Sequence, residues 1–154
     1  MHIVFLLTLF TGACPQIFNL IEKDVLLWSK VEIVFIGNLL VAGALAGFFL
    51  GGRMIDRFGT KYVFLCCHFG FGIILLLFLW RNLFTDEIRI VVGILTILFG
   101  MVQAASSIAM TSETLALIPP KNKSLATGLW FTLYSGGTGL SGILSGQALE
   151  LGVF

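Results

Sequence analysis

Five long stretches without a charged side chain constrain the fold of this 154-residue chain more than any other feature. All 9 Lys and Arg residues and all 8 Asp and Glu residues lie between or beside these stretches. Each stretch has about 20 residues, the length that an α-helix needs to cross the hydrocarbon core of a bilayer. The predicted spans are residues 3–21, 33–52, 62–80, 90–110 and 125–149.

The composition supports membrane spans. Hydrophobic residues make up 58% of the chain and charged residues 11%, whereas soluble domains carry about 25% charged residues. Because backbone groups in lipid must form hydrogen bonds within their own segment, each span is expected to be helical. The sequence therefore predicts an all-α membrane protein with about five transmembrane helices, in intimate contact with the lipid bilayer, and it argues against a soluble enzyme.

Charge and motif content argue against several other functions. The net charge of +1 is too small for a nucleic-acid binder that works by neutralising phosphates. The sequence has no phosphate-binding loop of the ATPase type and no catalytic arrangement, so neither a cofactor nor an enzymatic activity is expected. His68 follows Cys66 and Cys67, but neighbouring side chains on a helix point about 100° apart. We therefore expect a neutral, hydrogen-bonded His68 and no metal site.

The basic residues of the connections favour one orientation. The second and fourth connections hold five Lys or Arg residues, and the first and third hold four. By the positive-inside rule, this bias places the second and fourth connections and the N-terminus in the cytoplasm. The expected location is the plasma (inner) membrane, with the chain crossing it several times.

The second connection carries the most specific motif. Residues 51–64 read GGRMIDRFGTKYVF, which resembles the signature of the major facilitator superfamily, G-x-L-A-D-R-x-G-R-K. The matching residues are Gly52, Asp56, Arg57, Gly59 and Lys61. Thr60 stands where the signature has a basic residue. We call residues 52–61 the signature segment and predict that they form a short cytoplasmic loop, with the glycines allowing a tight turn.

The resemblance implies a fold and a function. Members of this family have about twelve spans in two halves and carry small solutes by alternating access, either facilitatively or driven by a gradient. Five spans would form most of one half, and residues 118–142 favour the C-terminal half. The other half, a small solute and a coupling proton or ion would then be partners. The resemblance also implies that Asp56 meets the positive end of a helix from the opposite half.

Polar side chains inside the spans are candidates for the solute pathway, because hydrocarbon penalises them. These residues are Gln16, Asn19, Asn38, Gln103, Thr132 and Tyr134. Pro15 should kink the first span beside Gln16 and Asn19, which would otherwise lie solvated near the outer interface. Alternatively, Asn38 and Gln103 are interhelical hydrogen-bond partners. None of the candidates carries a fixed charge that would select the charge of a solute.

Two further features bear on packing and on the alternatives. Gly43, Gly47 and Gly51 recur every four residues, a spacing that lets helix backbones approach closely in lipid. Glu113, just beyond the fourth span, is interpreted as a solvated acid at the cytoplasmic end or, alternatively, as an acid that carries a proton. The alternative to a transporter is a truncated remnant or a membrane packing protein that transports nothing.

Overall fold

The structure is a computed structural model that describes residues 27–80, 88–118 and 123–151, together with Leu9, Gly12 and Lys23. Four α-helices occupy these ranges, and no strand occurs within them. They are α1 (Lys30–Phe58), α2 (Thr60–Leu79), α3 (Ile88–Leu117) and α4 (Lys123–Glu150). The expected all-α fold is confirmed. The predicted span at residues 3–21 lies outside the described residues, apart from Leu9 and Gly12.

The helices are longer than the apolar stretches that predict them. Helix α1 has 29 residues and α3 has 30, so each is about 44 Å long at 1.5 Å per residue. A hydrocarbon core of about 30 Å leaves several residues of each helix outside it. In the described part of the chain, α1, α2 and α3 are long and apolar enough to cross a membrane.

Helix α1 begins with a capping box. The backbone N–H and the hydroxyl of Ser29 donate hydrogen bonds to Glu32 Oε2 at 2.9 and 2.8 Å, and the N–H of Glu32 donates to Ser29 Oγ at 3.4 Å. Reciprocal bonds of this kind satisfy N–H groups that have no partner within a helix. The pattern Ser-x-x-Glu therefore explains why α1 begins at Lys30.

The chain divides into two compact units, and residues 34–117 form one of them. In this three-helix unit, α1 and α3 run parallel, because the residue numbers on both helices rise together along their contact. The opposed pairs are Gly43 with Ile97, Gly47 with Met101 and Gly51 with Ala105. A Cβ atom on Gly51 would lie 2.8 Å from Ala105 Cα, and one on Gly43 would collide with the Ile97 backbone. The expected close approach at these glycines is thus present in the structure.

Helices α2 and α3 run antiparallel. The rings of Phe71 and Phe99 are 5.5 Å apart, whereas Val63, earlier on α2, packs in one cluster with Ala109, later on α3. The directions of α1, α2 and α3 therefore alternate, as consecutive membrane spans require. As a result, the turn between α1 and α2 lies at the same end of the unit as the end of α3.

Helix α4 belongs to the second unit, which comprises residues 1–33 and 118–154. Three of its Thr and Ser hydroxyls bond backbone carbonyls three or four residues earlier in the helix, and these belong to Thr132, Thr138 and Ser145. Such bonds satisfy polar side chains within their own helix. These three hydroxyls therefore need no partners on other helices.

Candidate functional site

The turn between α1 and α2 consists of Gly59 alone. Its φ of 84° and ψ of 158° place it in a region of backbone space that is essentially restricted to glycine. Its N–H donates a 2.8 Å hydrogen bond to the carbonyl oxygen of Ile55, so the end of α1 stays hydrogen-bonded up to the turn. This glycine allows two long helices to reverse direction without a loop.

The signature segment differs from the predicted loop over residues 52–61. Helix α1 continues to Phe58 and α2 starts at Thr60, so Gly52 lies within a helix. The residues between Gly52 and Gly59 include Arg and Met, which are good helix formers. The charged side chains therefore mark where the chain leaves the apolar layer, while the helix itself continues to Phe58, for nearly two further turns.

The charged residues of the signature segment face outward. Asp56, Arg57 and Lys61 are all exposed. Arg57 lies in the last turn of α1, where a cation interacts favourably with the helix dipole, and its guanidinium is 5.3 Å from the Phe58 ring centroid. Among the described residues, Asp56 has no hydrogen-bond or ion-pair partner. Its carboxylate is thus available to a group outside the described part of the chain.

A hydrogen bond connects the signature segment to the end of α3. Thr60 Oγ1 donates to Glu113 Oε2 at 2.6 Å. Glu113 is exposed, which agrees with its interpretation as a solvated acid, but the hydroxyl partner was missed. No local pattern could have found it, because 53 residues separate the two side chains.

A small buried cluster lies next to this hydrogen bond. Val63 is 2% exposed, Cys67 7% and Ala109 1%, and Ile55 of α1 packs against them. One turn of helix separates Thr60 from Val63, so the polar contact and the apolar cluster are adjacent on the same face of α2. Together they join all three helices at this end of the unit.

His68 lies half-buried on α2 and bonds within its own helix. Its Nδ1 is 2.8 Å from the carbonyl oxygen of Phe64; since a carbonyl only accepts, Nδ1 carries the proton. Cys67 is buried and Cys66 is exposed, so the two thiols point in different directions. Within the described residues, no group of three His, Cys, Asp or Glu side chains is placed to hold a metal ion.

The candidate pathway residues fall in different places. Asn38 on α1 and Gln103 on α3 are both exposed, and the structure gives no hydrogen bond between them within the described three-helix unit. The hydroxyl of Thr132 bonds the carbonyl oxygen of Gly128 at 3.0 Å. Gln16 and Asn19 lie outside the described residues. The expectation of a pathway therefore stays a prediction for all of these residues.

Tyr134 stacks on Trp130 within α4. Their ring centroids are 5.5 Å apart with an interplanar angle of 21°. Trp130 is only 8% exposed, and its indole N–H has no acceptor among the described residues. Tyr134 was predicted as a polar residue within a span. Its stacking on Trp130 follows from their four-residue spacing, which places both rings on the same face of the helix.

Comparison with known proteins bears on the whole chain. The model of the family described as Major Facilitator Superfamily matches residues 2–153. No curated protein and no solved structure matches the chain. The family match agrees with the signature segment and with three helices that can cross a membrane. The chain therefore belongs to the major facilitator superfamily, a family of multi-pass membrane transporters.

Proposed function

We propose that the chain forms part of a secondary active or facilitative transporter that carries a small solute by alternating access. In this mechanism one half of the protein rocks against the other around a central site. The chain supplies one wall of the pathway and one element of the cytoplasmic gate. The observation that carries the proposal is the signature segment, whose exposed Asp56 lies at a helix end beside the one-residue turn.

The gate element is Asp56 with the residues around it. A helix N-terminus carries a partial positive charge, and a carboxylate placed there is stabilising. Asp56 has no partner among the described residues, so it can meet such a helix end in the opposite half when the gate closes. Arg57 and Lys61 add the positive charge that keeps this end in the cytoplasm. Gly52 and Gly59 complete the signature, Gly59 by forming the turn.

Rigid-body motion is supported by the packing of the three-helix unit. Gly43 and Gly47 bring the backbone of α1 against that of α3. The contact is too close for the two helices to slide past each other. Packed helices of this kind move together rather than deform. The unit therefore suits a mechanism in which whole groups of helices rotate.

The solute pathway would be lined by the in-span polar residues named above. Asn38 and Gln103 are exposed on the three-helix unit, and both offer amide donors and acceptors. Tyr134 and Thr132, with Gln16 and Asn19, are the candidates from the other spans. Because none of these side chains carries a fixed charge, they set no preference for the charge of the solute.

The wider arrangement is also a proposal. The N-terminus and the signature segment face the cytoplasm, the membrane is the plasma or inner membrane, and the chain corresponds to the C-terminal half. The other half of the transporter is its expected partner. The bias of Lys and Arg towards the second and fourth connections supports the orientation.

The first test compares flux by the chain combined with the proposed other half of the transporter and flux by the chain alone. Each is reconstituted in liposomes, and uptake is measured with a panel of radiolabelled sugars, amino acids and organic cations. We expect uptake only when both halves are present, since one half provides one wall of a pathway. Rapid uptake by the isolated 154-residue chain would contradict the proposal, and a protein that carries no probe would favour the packing-protein alternative.

The second test addresses the gate. Asp56→Asn keeps the size of the side chain but removes its charge, and we expect transport to slow about fivefold because the contact with a helix end is weakened. The matched control is Glu150→Gln, which removes an exposed acid at the end of α4. Unchanged transport kinetics in Asp56→Asn, with normal insertion, would count against the gating role.

A further inference from the structure

His68 lies in the part of α2 that is predicted to cross the membrane. It is six residues beyond the start of the predicted span at residue 62, which places it about 9 Å inside the span at 1.5 Å per residue. Hydrocarbon penalises an ionisable side chain at such a depth, so a residue of this kind is expected to have a function. Histidine is also the side chain that ordinarily changes charge between about pH 5 and 8.

The two ring nitrogens of His68 have different surroundings. Nδ1 donates a hydrogen bond to the carbonyl oxygen of Phe64 at 2.8 Å, so in the neutral ring Nε2 carries the lone pair. Nε2 has no hydrogen-bond partner among the described residues. A proton can therefore add to Nε2 while the bond from Nδ1 to Phe64 stays intact.

Aromatic rings lie on both sides of His68 along α2. The ring centroid of Phe64 is 4.2 Å from that of His68, and the Phe71 ring packs edge to face at 6.2 Å. A cation within about 6 Å of an aromatic ring is attracted by the negative charge of the ring face. The Phe64 ring therefore offsets part of the cost of a positive charge on His68.

Gln103 of α3 lies at the same level as His68. Gly70 is opposite Val102, because a Cβ on Gly70 would be 3.3 Å from Val102 Cγ2. Two residues back along α2 correspond, in an antiparallel pair, to two residues onward along α3, which leads to Ala104. Gln103 is therefore within about 1.5 Å of the level of His68.

The two polar side chains also leave their helices on the same side. Cys67 and Val102 both lie in the packed contact between α2 and α3, and His68 and Gln103 follow them directly in sequence. One residue turns a helix by about 100°, and in an antiparallel pair this rotation leads to the same side of both helices. Helix α1 lies against Met101, which precedes Val102. His68 and Gln103 thus share the face of the α2–α3 pair that points away from α1.

His68 has few ionisable neighbours within the three-helix unit. Residues 33–52 of α1 and 90–110 of α3 contain no Asp, Glu, Lys, Arg, His, Cys or Tyr. The other titratable side chains of the α2 span are Tyr62, Cys66 and Cys67. The nearest charged groups on the neighbouring helices are Arg53 of α1 and Glu113 of α3. The bond from Glu113 to the first residue of α2 places it eight residues, or about 12 Å along the helix, from His68.

We propose that His68 is a proton-binding site within the membrane. Nε2 takes the proton, the ring changes from neutral to singly positive, and the amide oxygen of Gln103 accepts a hydrogen bond from the new N–H. Release of the same proton on the other side of the membrane restores the neutral ring. In the transporter this cycle couples the movement of a proton to that of the solute, a role that rests on the proposed function.

The first experiment is NMR on the full chain in nanodiscs, with ¹⁵N in the histidine rings. The chain has 2 histidines, and His2→Gln leaves His68 as the one source of ring signals. At about pH 8 we expect a proton on Nδ1 and a bare Nε2, and towards about pH 5 both nitrogens should carry a proton. Signals that keep the neutral pattern over this range would overturn the proposal, as would a proton on Nε2 at the higher pH.

The same titration tests the partner. Gln103→Leu removes the amide acceptor, and we expect the affinity of His68 for its proton to fall about tenfold, since hydrogen bonds to charged groups contribute on that scale. The control is Asn38→Leu, which removes an exposed amide of α1, the helix on the other side of the unit. Equal titrations of Gln103→Leu and Asn38→Leu would overturn the assignment of Gln103.

Transport by the chain combined with its proposed other half separates this inference from the proposed function. His68→Asn keeps an amide that can donate to Phe64 but cannot take up a proton. If a radiolabelled probe is carried, its accumulation under a proton gradient should be lost in His68→Asn, whereas exchange of the probe without a gradient should persist. Unchanged accumulation would overturn the coupling role. If no probe is carried, the proposed function fails, and the NMR titration still decides whether His68 binds a proton.

Discussion

Helix α3 makes two different contacts with its neighbours. Against α1 it meets backbone with backbone, because Gly43, Gly47 and Gly51 present no side chains. Against α2 it packs side chain on side chain, as Phe99 does with Phe71 at 5.5 Å. The first contact has a fixed separation, whereas the second can adjust through rotamers, so the two should respond very differently to an added methyl group.

The difference follows from the physics of helices in lipid. Apolar side chains gain little there from leaving lipid for protein, so association depends on close van der Waals packing and on interhelical hydrogen bonds. Glycine maximises backbone contact on the α1 side. On the α2 side the buried cluster and the bond from Thr60 to Glu113 provide packing and a polar contact.

The largest effect is expected on the α1 side. In Gly47→Ala the new Cβ would collide with the backbone carbonyl oxygen of Met101, and a helix backbone cannot move aside as a side chain can. We expect a loss of about 3 kcal/mol or more in the free energy of unfolding, measured by steric trapping in bicelles. The control is Gly37→Ala on the same helix, where the new Cβ meets nothing within 4 Å. Equal stabilities of the two variants would contradict the close approach.

The next effect concerns the turn that joins the two contacts. Gly59→Ala would force a residue with a Cβ into a conformation with φ of 84° and ψ of 158°, at a cost of about 2 kcal/mol. The cost is strain and not a steric clash, since a Cβ on Gly59 has nothing within 4 Å. The same unfolding assay measures it. Gly52→Ala is the matched control, because Gly52 lies in a helix with equally open space, and a similar loss there would argue against strain.

A smaller loss is expected from the α2 side. Val63→Ala leaves a cavity beside Cys67 and Ala109, and a buried side chain shortened by two methyl groups costs about 1.5 kcal/mol. Leu65→Ala provides the control, since Leu65 is 55% exposed on the same helix. The unfolding free energy of the two variants separates buried from exposed positions. A greater loss in Leu65→Ala would place the important contact of α2 on another face.

Much of this fold could be predicted from local sequence. The uncharged stretches predict helices because backbone groups in lipid have no other way to form hydrogen bonds, and helices occur at the four predicted spans that fall within the described residues. The glycines spaced four apart in the second span predict a close helix contact, which the structure contains. Gly52 and Gly59 were both expected to allow the turn, but Gly59 alone forms it, since Gly52 lies within α1.

Other features could not be predicted. The end of the charge-free stretch at Gly52 suggests the end of a helix. Charged residues mark the membrane boundary, but they do not prevent a helix from continuing, and α1 continues to Phe58. The partner of Glu113 depends on three-dimensional packing across 53 residues. The identity of the opposed residues on α3, such as Met101, depends on the helix register, which no pattern in one sequence determines.

The smallest effect is expected at a glycine of α2 that faces α3. Gly70 on α2 faces α3, and a Cβ there would lie 3.3 Å from Val102 Cγ2, which belongs to a side chain that can shift. We expect Gly70→Ala to change the unfolding free energy by no more than about 0.5 kcal/mol, because the slight crowding is offset by the better helix propensity of alanine. Gly72→Ala, with nothing within 4 Å, measures propensity alone. If Gly70→Ala costs as much as Gly47→Ala, the α2 contact is as rigid as the α1 contact, and the separation of a fixed from an adjustable contact on α3 fails.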